Sequence, residues 1–444
     1  MKIGLTIFIL ALVVRVVNLL FMDLTFENFL YEDQKMYWDG SFTYPLNFWI
    51  TSDGLVAERM PGAFWYYKLF IFLFKENLFL ILFFQSILDS LTCIVISKSA
   101  KLVDEDLEKI VGFLAAISPT MVIASSQILS DTLFLLFFSI AIYYFLATIF
   151  KKSIIAPMIS GFMLGISALV RAVSYPLIFL SLPVLYIFNF KWMKKTNIFI
   201  CLTGFLILAL IPLSPRLVNN IISNQTFSLT SQTGAHLSHW FVPNVLAVSR
   251  GYDREKSIGI INDEINSLGG LTDNPYNNSK INTSVAIKIL SEEPIIPILY
   301  AWGKAATINI FSPAFLVDQR IRSLPHPSFI QSKSIKDRIN LILENNIYHE
   351  YFITVLLSLA ISIICFFLTI YGFGIFVYKK FYFTFLSSML ILYFILITGP
   401  NVSPKYILPF ISLIFLWQAV ALKHLIYLIN QMLKKKKNIS KFQN

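Results

Sequence analysis

Two carboxylates and four cations stand out in this sequence, because four of them lie at the predicted outer ends of apolar segments and the first two lie in the loop that follows the first apolar segment. They are Asp33, Arg59, Asp131, Arg171, Arg216 and Lys405. A carboxylate can accept the proton of an attacking hydroxyl group, and Arg or Lys can bind a phosphate group. Burial of a charge in lipid costs several kcal/mol unless a partner or an aqueous cavity relieves it. Charged residues at these positions are therefore candidates for a functional site.

Each of these residues also has a plain structural interpretation. Asp131 lies at the predicted start of a helix, where it could serve only as a cap or as a partner of the helix dipole. Arg171 and Lys405 could simply extend toward the headgroup region. Asp33 lies in a loop that is already rich in acids, and its neighbour Glu32 could either assist it or be solvated. The convergence of all six on one membrane face is what favours a functional site.

The elements that must hold these residues are those of a polytopic membrane protein. The 444 residues are 56% hydrophobic and only 14% charged, and the mean hydropathy of +0.69 lies well above that of soluble domains. Lys-rich clusters follow every second apolar segment, which is typical of cytoplasmic loops and excludes a nucleic-acid partner as the reason for the net charge of +11.

Ten segments are long and apolar enough to be predicted as membrane spans, with both termini on the cytoplasmic side. The first is predicted to be retained, because it has no cleavage site of the small-x-small type. The predicted spans are residues 3–22, 78–97, 110–127, 131–150, 154–172, 174–190, 197–213, 351–378, 382–398 and 405–428.

The spans divide the chain into three parts. Residues 1–213 form an N-terminal transmembrane region that contains an acidic first outer loop at about 23–77. Residues 214–350 are a long outer segment, predicted to be a small irregular domain with helices on the membrane. Residues 351–444 supply the C-terminal spans and a basic cytoplasmic tail. Helical spacing in the first loop places Asp33 and Tyr37 on one face, at i and i+4.

Short motifs containing these candidates occur in a fixed order along the chain. The first loop contains Asp33-Gln34-Lys35-Met36-Tyr37 and then Arg59-Met60-Pro61-Gly62. Later motifs are Gln85-Ser86-Ile87-Leu88-Asp89, Ser118-Pro119, Ser130-Asp131-Thr132-Leu133, Gly161 to Gly165 leading to Arg171, Pro212 to Asn219 with Arg216, and Pro404-Lys405-Tyr406-Ile407-Leu408-Pro409.

The order of these motifs resembles the bacterial branch of the protein O-mannosyltransferase and lipid A aminoarabinose transferase group, which is glycosyltransferase family 39 with the GT-C fold. The resemblance extends from about residue 10 to residue 425. Four positions depart from the family pattern. Asp131 replaces the commoner Glu, Ala172 stands where Pro is usual, Leu217 where Asn is usual, and Lys405 where Arg is usual. Lys can still meet a phosphate, but as a point charge without a bidentate fork.

The resemblance implies an all-α bundle of the GT-C type with about ten transmembrane helices. It also implies transfer of a hexose or pentose from a polyprenyl-phosphate carrier to a hydroxyl of a glycan, lipid or protein acceptor at the outer face of the membrane. Asp33 would be the general base, Asp131 would orient the acceptor or hold a cation, and Glu32 would assist. The residues expected to bind the carrier phosphate and the sugar are Arg59, Tyr37, Arg171, Arg216, Lys405 and Tyr406.

Metal binding has little support in the sequence. Some relatives bind a divalent metal near this site, so the resemblance leaves a divalent metal cofactor open, without assigned ligands. His236 and His239 are spaced at i and i+3, either as metal ligands or as lining of the acceptor loop. Cys93, Cys201 and Cys365 lie inside apolar segments, so neither a disulfide framework nor a Cys-based metal site is predicted.

Other classes of membrane protein share some of these features. A transporter or flippase of lipid-linked sugars would also have many spans and intramembrane charges, but it would not need two large outer segments, and no inverted repeat with broken helices is visible. A non-catalytic assembly protein would leave the one-sided ring of acids and bases unexplained, and a lipid ligase of the same broad fold is the nearest enzymatic competitor. Abundant Ile, Lys, Asn and Phe point to a bacterial plasma membrane, with the site on the periplasmic or exterior side.

Overall fold

The computed structural model describes residues 2–46, 54–189, 193–325, 340–341 and 344–442, together with Lys336. Within these residues all regular secondary structure is helical. A membrane explains this choice, because lipid offers no hydrogen bonds and a helix satisfies its own backbone groups. The prediction of an all-α polytopic membrane protein is confirmed.

The N-terminal half alternates long apolar helices with the short helices of the first outer loop. Their bounds are α1 (Lys2–Leu20), α2 (Phe26–Phe29), α3 (Glu32–Thr43), α4 (Gly54–Glu58), α5 (Pro61–Phe74), α6 (Leu78–Val103), α7 (Leu107–Ile117), α8 (Pro119–Ser125), α9 (Asp131–Lys151), α10 (Ala156–Val170), α11 (Tyr175–Asn189) and α12 (Lys195–Leu210).

The second half begins with shorter helices and ends with three long ones. Their bounds are α13 (Ser214–Asn224), α14 (Gln232–His236), α15 (Val242–Ser249), α16 (Arg254–Ser267), α17 (Pro275–Glu292), α18 (Ile295–Phe311), α19 (Gln319–Arg322), α20 (His349–Lys379), α21 (Phe381–Thr398) and α22 (Ile411–Phe442). A π-helical turn, Leu237–Phe241, joins α14 to α15, and a 3-10 helix, Pro404–Phe410, precedes α22.

Helices occupy all ten predicted spans, but fewer than ten are long enough to cross a membrane. Seven of the described helical segments are long and apolar enough to cross a membrane. The pair α7 and α8, bent by 51°, would be an eighth if it forms one span. The predicted spans 154–172 and 174–190 correspond to α10 and α11, which have 15 residues each, fewer than the roughly 20 needed. The chain between them breaks at Arg171, whose backbone is extended.

The bend between α7 and α8 is stabilised by an ion pair inside the bundle. Arg15 of α1 and Asp89 of α6 are both almost fully buried, and Arg15 Nε donates to Asp89 Oδ2 at 2.6 Å. The same guanidinium donates to the carbonyl oxygens of Ala116 at 2.9 Å and Ala115 at 3.5 Å. The last carbonyls of a helix lack partners within it, so Arg15 caps α7 at the break, which Pro119 enforces.

Helices α10 and α12 pack closely because two glycines face the backbone of the partner helix. A methyl group on Gly161 would collide with the carbonyl oxygen of Phe205, and one on Gly165 with that of Ala209. Small residues spaced by four allow such close approach, which is how helices gain van der Waals contact in lipid. This packing fixes α10, and therefore the position at which the chain breaks at Arg171.

The outer segment has a core of its own and one apolar helix that the sequence interpretation treated as part of a polar segment. Its core residues are Val242, Leu246, Ile261, Ile265, Val285, Ala286 and Ile289. Helix α18 exposes Ile295, Ile296 and Leu299, while Trp302 Nε1 donates to the carbonyl of Ile395 on α21 at 3.2 Å. Residues 47–53 of the predicted first loop and most of 326–343 of the predicted outer segment lie outside the described residues, and the division into 1–213, 214–350 and 351–444 stays a prediction.

Candidate active site

Asp33 and Lys405 form an ion pair between the first outer loop and the start of the last membrane helix. Lys405 Nζ donates to Asp33 Oδ2 at 3.1 Å. Asp33 lies in the first turn of α3, and Lys405 lies in the 3-10 helix that precedes α22. The side chain of Asp33 is 48% exposed and that of Lys405 is 25% exposed. The carboxylate therefore keeps one side open to a ligand while its charge is balanced.

A second ion pair, between Asp131 and Arg171, lies next to the first. Asp131 begins α9 and its side chain is buried, and Arg171 Nη1 donates to its Oδ1. Arg171 reaches it from the extended residue between α10 and α11. The two pairs are coupled, since Lys405 interacts electrostatically with Asp131 as well as Asp33, and Asp33 with Arg171.

Arg59 contributes a third cation to this cluster. Its charge acts on Asp33, and its Nε atom is buried with no hydrogen-bond partner among the described residues. A buried donor without an acceptor is costly, so an anionic ligand at this position would relieve it. The Pro61-Gly62 turn that follows is pressed against α10, since a Cβ on Gly62 would lie 2.9 Å from the carbonyl oxygen of Leu169. Arg59 and Arg171 are thereby held on neighbouring backbones.

The charges around Asp33 favour its ionised form. Burial raises the pKa of Asp33, but Lys405, Arg59 and Arg171 together outweigh burial and hold that pKa below its usual value. An opposite charge nearby favours the charged form of an acid. Asp33 is therefore ionised at neutral pH and able to accept a proton.

The two predicted tyrosines border the same cluster. Tyr37 lies on the same side of α3 as Asp33, as predicted, and its hydroxyl donates to Ser130 Oγ at 3.1 Å. Tyr406 interacts electrostatically with Arg171 and Lys405. Tyr406 also lines a small recess between α18, α21 and the 3-10 helix.

Arg216 lies apart from the ion pairs and contacts backbone. It is 2% exposed, and Nη2 donates to the carbonyl oxygen of Val56 and to that of Ala57 at 3.4 Å, while Nε donates to that of Leu229 at 3.1 Å. The guanidinium thus joins the loop that carries Arg59 to the outer segment. The structure brings the other predicted cations together but gives Arg216 this separate bridging position.

Glu32 is bound by a residue that the sequence interpretation missed. Arg322 of α19 donates to both carboxylate oxygens, at 2.8 and 3.4 Å, and this hydrogen bonding lowers the pKa of Glu32. Because 290 residues separate the two, no local pattern could have revealed the contact. Only the grouping of Arg320 and Arg322 near the end of the outer segment offered a signal.

Two buried glutamines hold the loop that leads to Asp131. Gln34 Oε1 accepts from the backbone of Ile128 at 2.9 Å. Gln85 Nε2 donates to the carbonyls of Ser125 at 2.9 Å and Gln127 at 2.7 Å. Both glutamines belong to motifs seen in the sequence, but neither was itself predicted as a site residue. Their amides replace the helix hydrogen bonds that the 126–130 loop lacks.

The donor set does not fit a divalent cation. Within the described part of the chain, no three His, Cys, Asp or Glu side chains converge as metal ligands would. Asp33 and Asp131 are each already paired with a cation. His236 Nε2 instead contacts Asn401 Nδ2 at 3.0 Å, and His239 Nδ1 contacts Ser238 Oγ at 2.6 Å.

The structure is an all-helical bundle of the membrane type that holds two pairs of carboxylates and cations close together. Residues 58–218 match the family described as dolichyl-phosphate-mannose-protein mannosyltransferase. Residues 58–218 thus form a domain like that of glycosyltransferase family 39 with the GT-C fold, and over these residues the resemblance seen in the sequence is confirmed. At a coarse level, this match supports a membrane glycosyltransferase that acts with a polyprenyl-phosphate-linked sugar.

The matched region covers just over a third of the chain and includes Arg59, Asp131, Arg171 and Arg216, whereas Asp33 and Lys405 lie on either side of it. No curated protein matches the chain. The roles of the individual site residues therefore depend on the geometry described above.

Proposed function

We propose that this enzyme transfers a hexose or pentose from polyprenyl phosphate to an acceptor hydroxyl, with Asp33 as the general base. The observation that carries the proposal is the Asp33–Lys405 pair, a half-exposed ionised carboxylate that three cations surround. A base must be accessible to the acceptor, and the cations must be near the departing phosphate. This cluster meets both requirements.

The reaction is a single displacement at the anomeric carbon. The acceptor oxygen forms a bond to that carbon while the bond from the carbon to the phosphate oxygen breaks. The acceptor proton passes to Asp33, and polyprenyl phosphate leaves with one more negative charge than it had in the donor. Fixed cations stabilise this developing charge more in the transition state than in the ground state.

Lys405 and Arg59 are the residues we assign to the carrier phosphate. Lys405 already contacts the base, so a phosphate beside it would lie near the acceptor hydroxyl. Arg59 has a buried Nε without an acceptor among the described residues. Asp131 and Arg171 would orient the sugar with Tyr37 and Tyr406.

Arg216 supports the phosphate site indirectly in this proposal. Its guanidinium binds the carbonyls of Val56 and Ala57, two and three residues before Arg59. We therefore give it the task of positioning the Arg59 loop. Glu32 is held by Arg322, so the proton is assigned to Asp33 alone.

We place the site on the outer face of a bacterial plasma membrane. Gln85, near the N-terminal end of α6, supports the site. At the other end of α6, Lys380 Nζ donates to the carbonyl of Val103, and Lys423 Nζ contacts Asp106 at 2.7 Å. A concentration of Lys at the end away from the site agrees with the positive-inside rule. The acceptor would then be a glycan, lipid or protein of the cell envelope.

The test is transfer of radiolabelled sugar from short-chain polyprenyl-phosphate sugars to membrane extract. Purified wild type is compared with Asp33→Asn and with Asp39→Asn, which removes an exposed acid from the same helix. We expect transfer by wild type and Asp39→Asn, and loss of turnover in Asp33→Asn with donor binding retained.

Two outcomes would contradict the proposal. An active Asp33→Asn enzyme would remove Asp33 as the base. No transfer by wild type with any of several donors would favour a flippase, which movement of labelled donor across a vesicle membrane would then reveal.

A further inference from the structure

Glu32, the residue before the proposed base, has an unusual backbone conformation. Its φ is +47°, in the left-handed region that residues with a side chain rarely adopt. Such a conformation persists only where surrounding contacts impose it. Because Glu32 begins α3, its backbone sets the direction in which the first turn, and with it Asp33, faces.

The contact that holds Glu32 comes from Arg322. Its guanidinium forms a fork to both carboxylate oxygens, at 2.8 and 3.4 Å, and lies 4.6 Å from the centre of the Tyr31 ring. Arg322 therefore contacts the side chains on both sides of the Tyr31–Glu32 peptide bond. Fork geometry and stacking are specific to Arg, since Lys offers only a point charge.

The segment that carries Arg322 is itself attached to the first outer loop. Four hydrogen bonds connect residues 317–320 to residues of α1, the first loop and the loop before α9. They are Tyr31 Oη to Val317 O at 3.3 Å, Gln127 Nε2 to Val317 O at 2.9 Å, Gln319 Nε2 to Asn28 O at 2.8 Å and Arg320 Nη2 to Asn18 Oδ1 at 2.6 Å. Arg322 is thus presented to Glu32 by an anchored backbone.

We propose that Arg322 is a positioning residue that holds Glu32 in its left-handed conformation, and so directs the Asp33 carboxylate toward Lys405. This inference rests on the proposed role of Asp33 as the base. Without Arg322, Glu32 would relax to the right-handed region, and the first turn of α3 would rotate. Asp33 would then leave the position at which it meets Lys405 and the acceptor.

A purely structural role for this ion pair predicts a different result. Arg322 is 41% exposed and Glu32 is 68% exposed, and exposed ion pairs contribute little to stability. Loss of Arg322 should therefore leave the melting temperature nearly unchanged. A fall in turnover without a fall in stability would separate positioning of the base from support of the fold.

The experiment compares Arg322→Gln with two double variants, in which Glu32→Gly or Glu32→Gln is added. We expect kcat of Arg322→Gln to fall by about 5- to 30-fold. This is the ratio of right-handed to left-handed Glu32 that follows from a penalty of about 1–2 kcal/mol for a left-handed residue other than glycine. The KM for the donor should stay within about 2-fold, since the phosphate contacts are intact. Lys288→Gln breaks a similarly exposed pair, with Glu264 at 2.6 Å, and serves as the matched control.

Glycine provides the readout that a merely structural role would not give. Glycine adopts positive φ without a steric penalty, so Glu32→Gly should restore most of the turnover lost in Arg322→Gln, whereas Glu32→Gln should not. Equal rescue by Gly and Gln would overturn the proposal, because it would assign the effect to the unpaired charge. Normal turnover in Arg322→Gln, with Asp33→Asn inactive, would overturn the positioning role alone. An active Asp33→Asn enzyme would overturn both proposals.

Discussion

Replacement of Asp89 by Asn should destabilise the bundle strongly, although Asp89 lies away from the proposed chemistry. The change keeps the size of the side chain and removes its charge. Arg15 then stays in a position where it is 0% exposed, with only carbonyl oxygens, the Cys93 sulfur and a neutral amide around it. A charge buried in this way has lost its counter-ion.

The expected loss of stability depends on which buried groups lose their partners. Removal of one member of a buried ion pair costs about 3–5 kcal/mol. In the double variant Arg15→Met with Asp89→Leu, both charges are gone, and the carbonyl of Ala116 loses the Arg15 donor, while that of Ala115 keeps the backbone N–H of Ser118 at 3.4 Å. A buried acceptor without a partner costs about 1–3 kcal/mol. The double variant should therefore be more stable than Asp89→Asn alone.

Thermal unfolding in detergent can be followed by the reaction of buried thiols with a fluorogenic maleimide. Cys201 is 1% exposed and reacts only on unfolding. Cys93 lies 3.3 Å from Arg15 and Cys365 is only partly buried, so both are replaced by Ala in every variant and in the reference protein, which also removes the Cys93 sulfur from the surroundings of Arg15. With a shift of at most about 2 °C per kcal/mol in a protein of this size, we expect Asp89→Asn to lower Tm by up to about 10 °C, and the double variant by up to about 6 °C.

Asp104→Asn is the matched control, since Asp104 pairs with Lys423 at 3.4 Å in an exposed position. Its Tm should change by about 2 °C or less. A shift in Asp89→Asn no larger than in this control would refute the reasoning. So would a double variant less stable than Asp89→Asn, because the capping of α7 would then matter more than the unpaired charge.

Three further predictions concern the site and its supports. Lys405→Arg should keep donor binding, since Arg also meets a phosphate, whereas Lys405→Met should raise the donor KM; equal KM values in a transfer assay would argue against a phosphate contact. Burial lowers the pKa of His236, and Arg59 adds to this, so unfolded protein binds the proton more readily and stability falls as the pH drops below about 6.5. His236→Gln should flatten the decline of Tm between about pH 7 and pH 5, and an unchanged slope would contradict this. Gly165→Ala should lower Tm because the added methyl group would collide with the carbonyl oxygen of Ala209. Gly259→Ala is the control: this position of α16 is open, so the substitution should raise Tm slightly. Similar shifts of Tm in both variants would refute the close packing of α10 and α12.

Local patterns in the sequence were sufficient to predict the helices and the relative placement of two candidate residues. Apolar length alone located helices in all ten predicted spans. The spacing of Asp33 and Tyr37 placed both on one side of α3, as the structure shows. These features depend on neighbours within a few residues, which periodicity and motif order report directly. The ten-span count was too high by length, because α10 and α11 are shorter than the apolar stretch around the break at Arg171.

The contacts between distant residues were not predictable in the same way. Arg15 lies inside an apolar stretch, and its pairing with Asp89 depends on how α1 packs against α6. Arg216 belonged to a recognised motif, yet most of its partners are backbone carbonyls, which no residue pattern specifies, and its side-chain partner Tyr276 lies 60 residues away. Arg322 meets Glu32 only because the outer segment folds back over the first loop. In each case the contact depends on which segments lie next to each other in the folded protein.

Many of the side chains that support this site bind main-chain oxygens. The two partners of such a contact should therefore differ in how well they tolerate substitution. Gln127 binds the carbonyl of Val317, and Arg216 that of Ala57. Every amino acid carries the same carbonyl, so Val317 and Ala57 can vary as far as packing permits, while Gln127 and Arg216 cannot. A saturation mutagenesis screen should therefore show isolated intolerant donors, each facing a permissive position. Covariation between two such positions would be weak, although they are in direct contact.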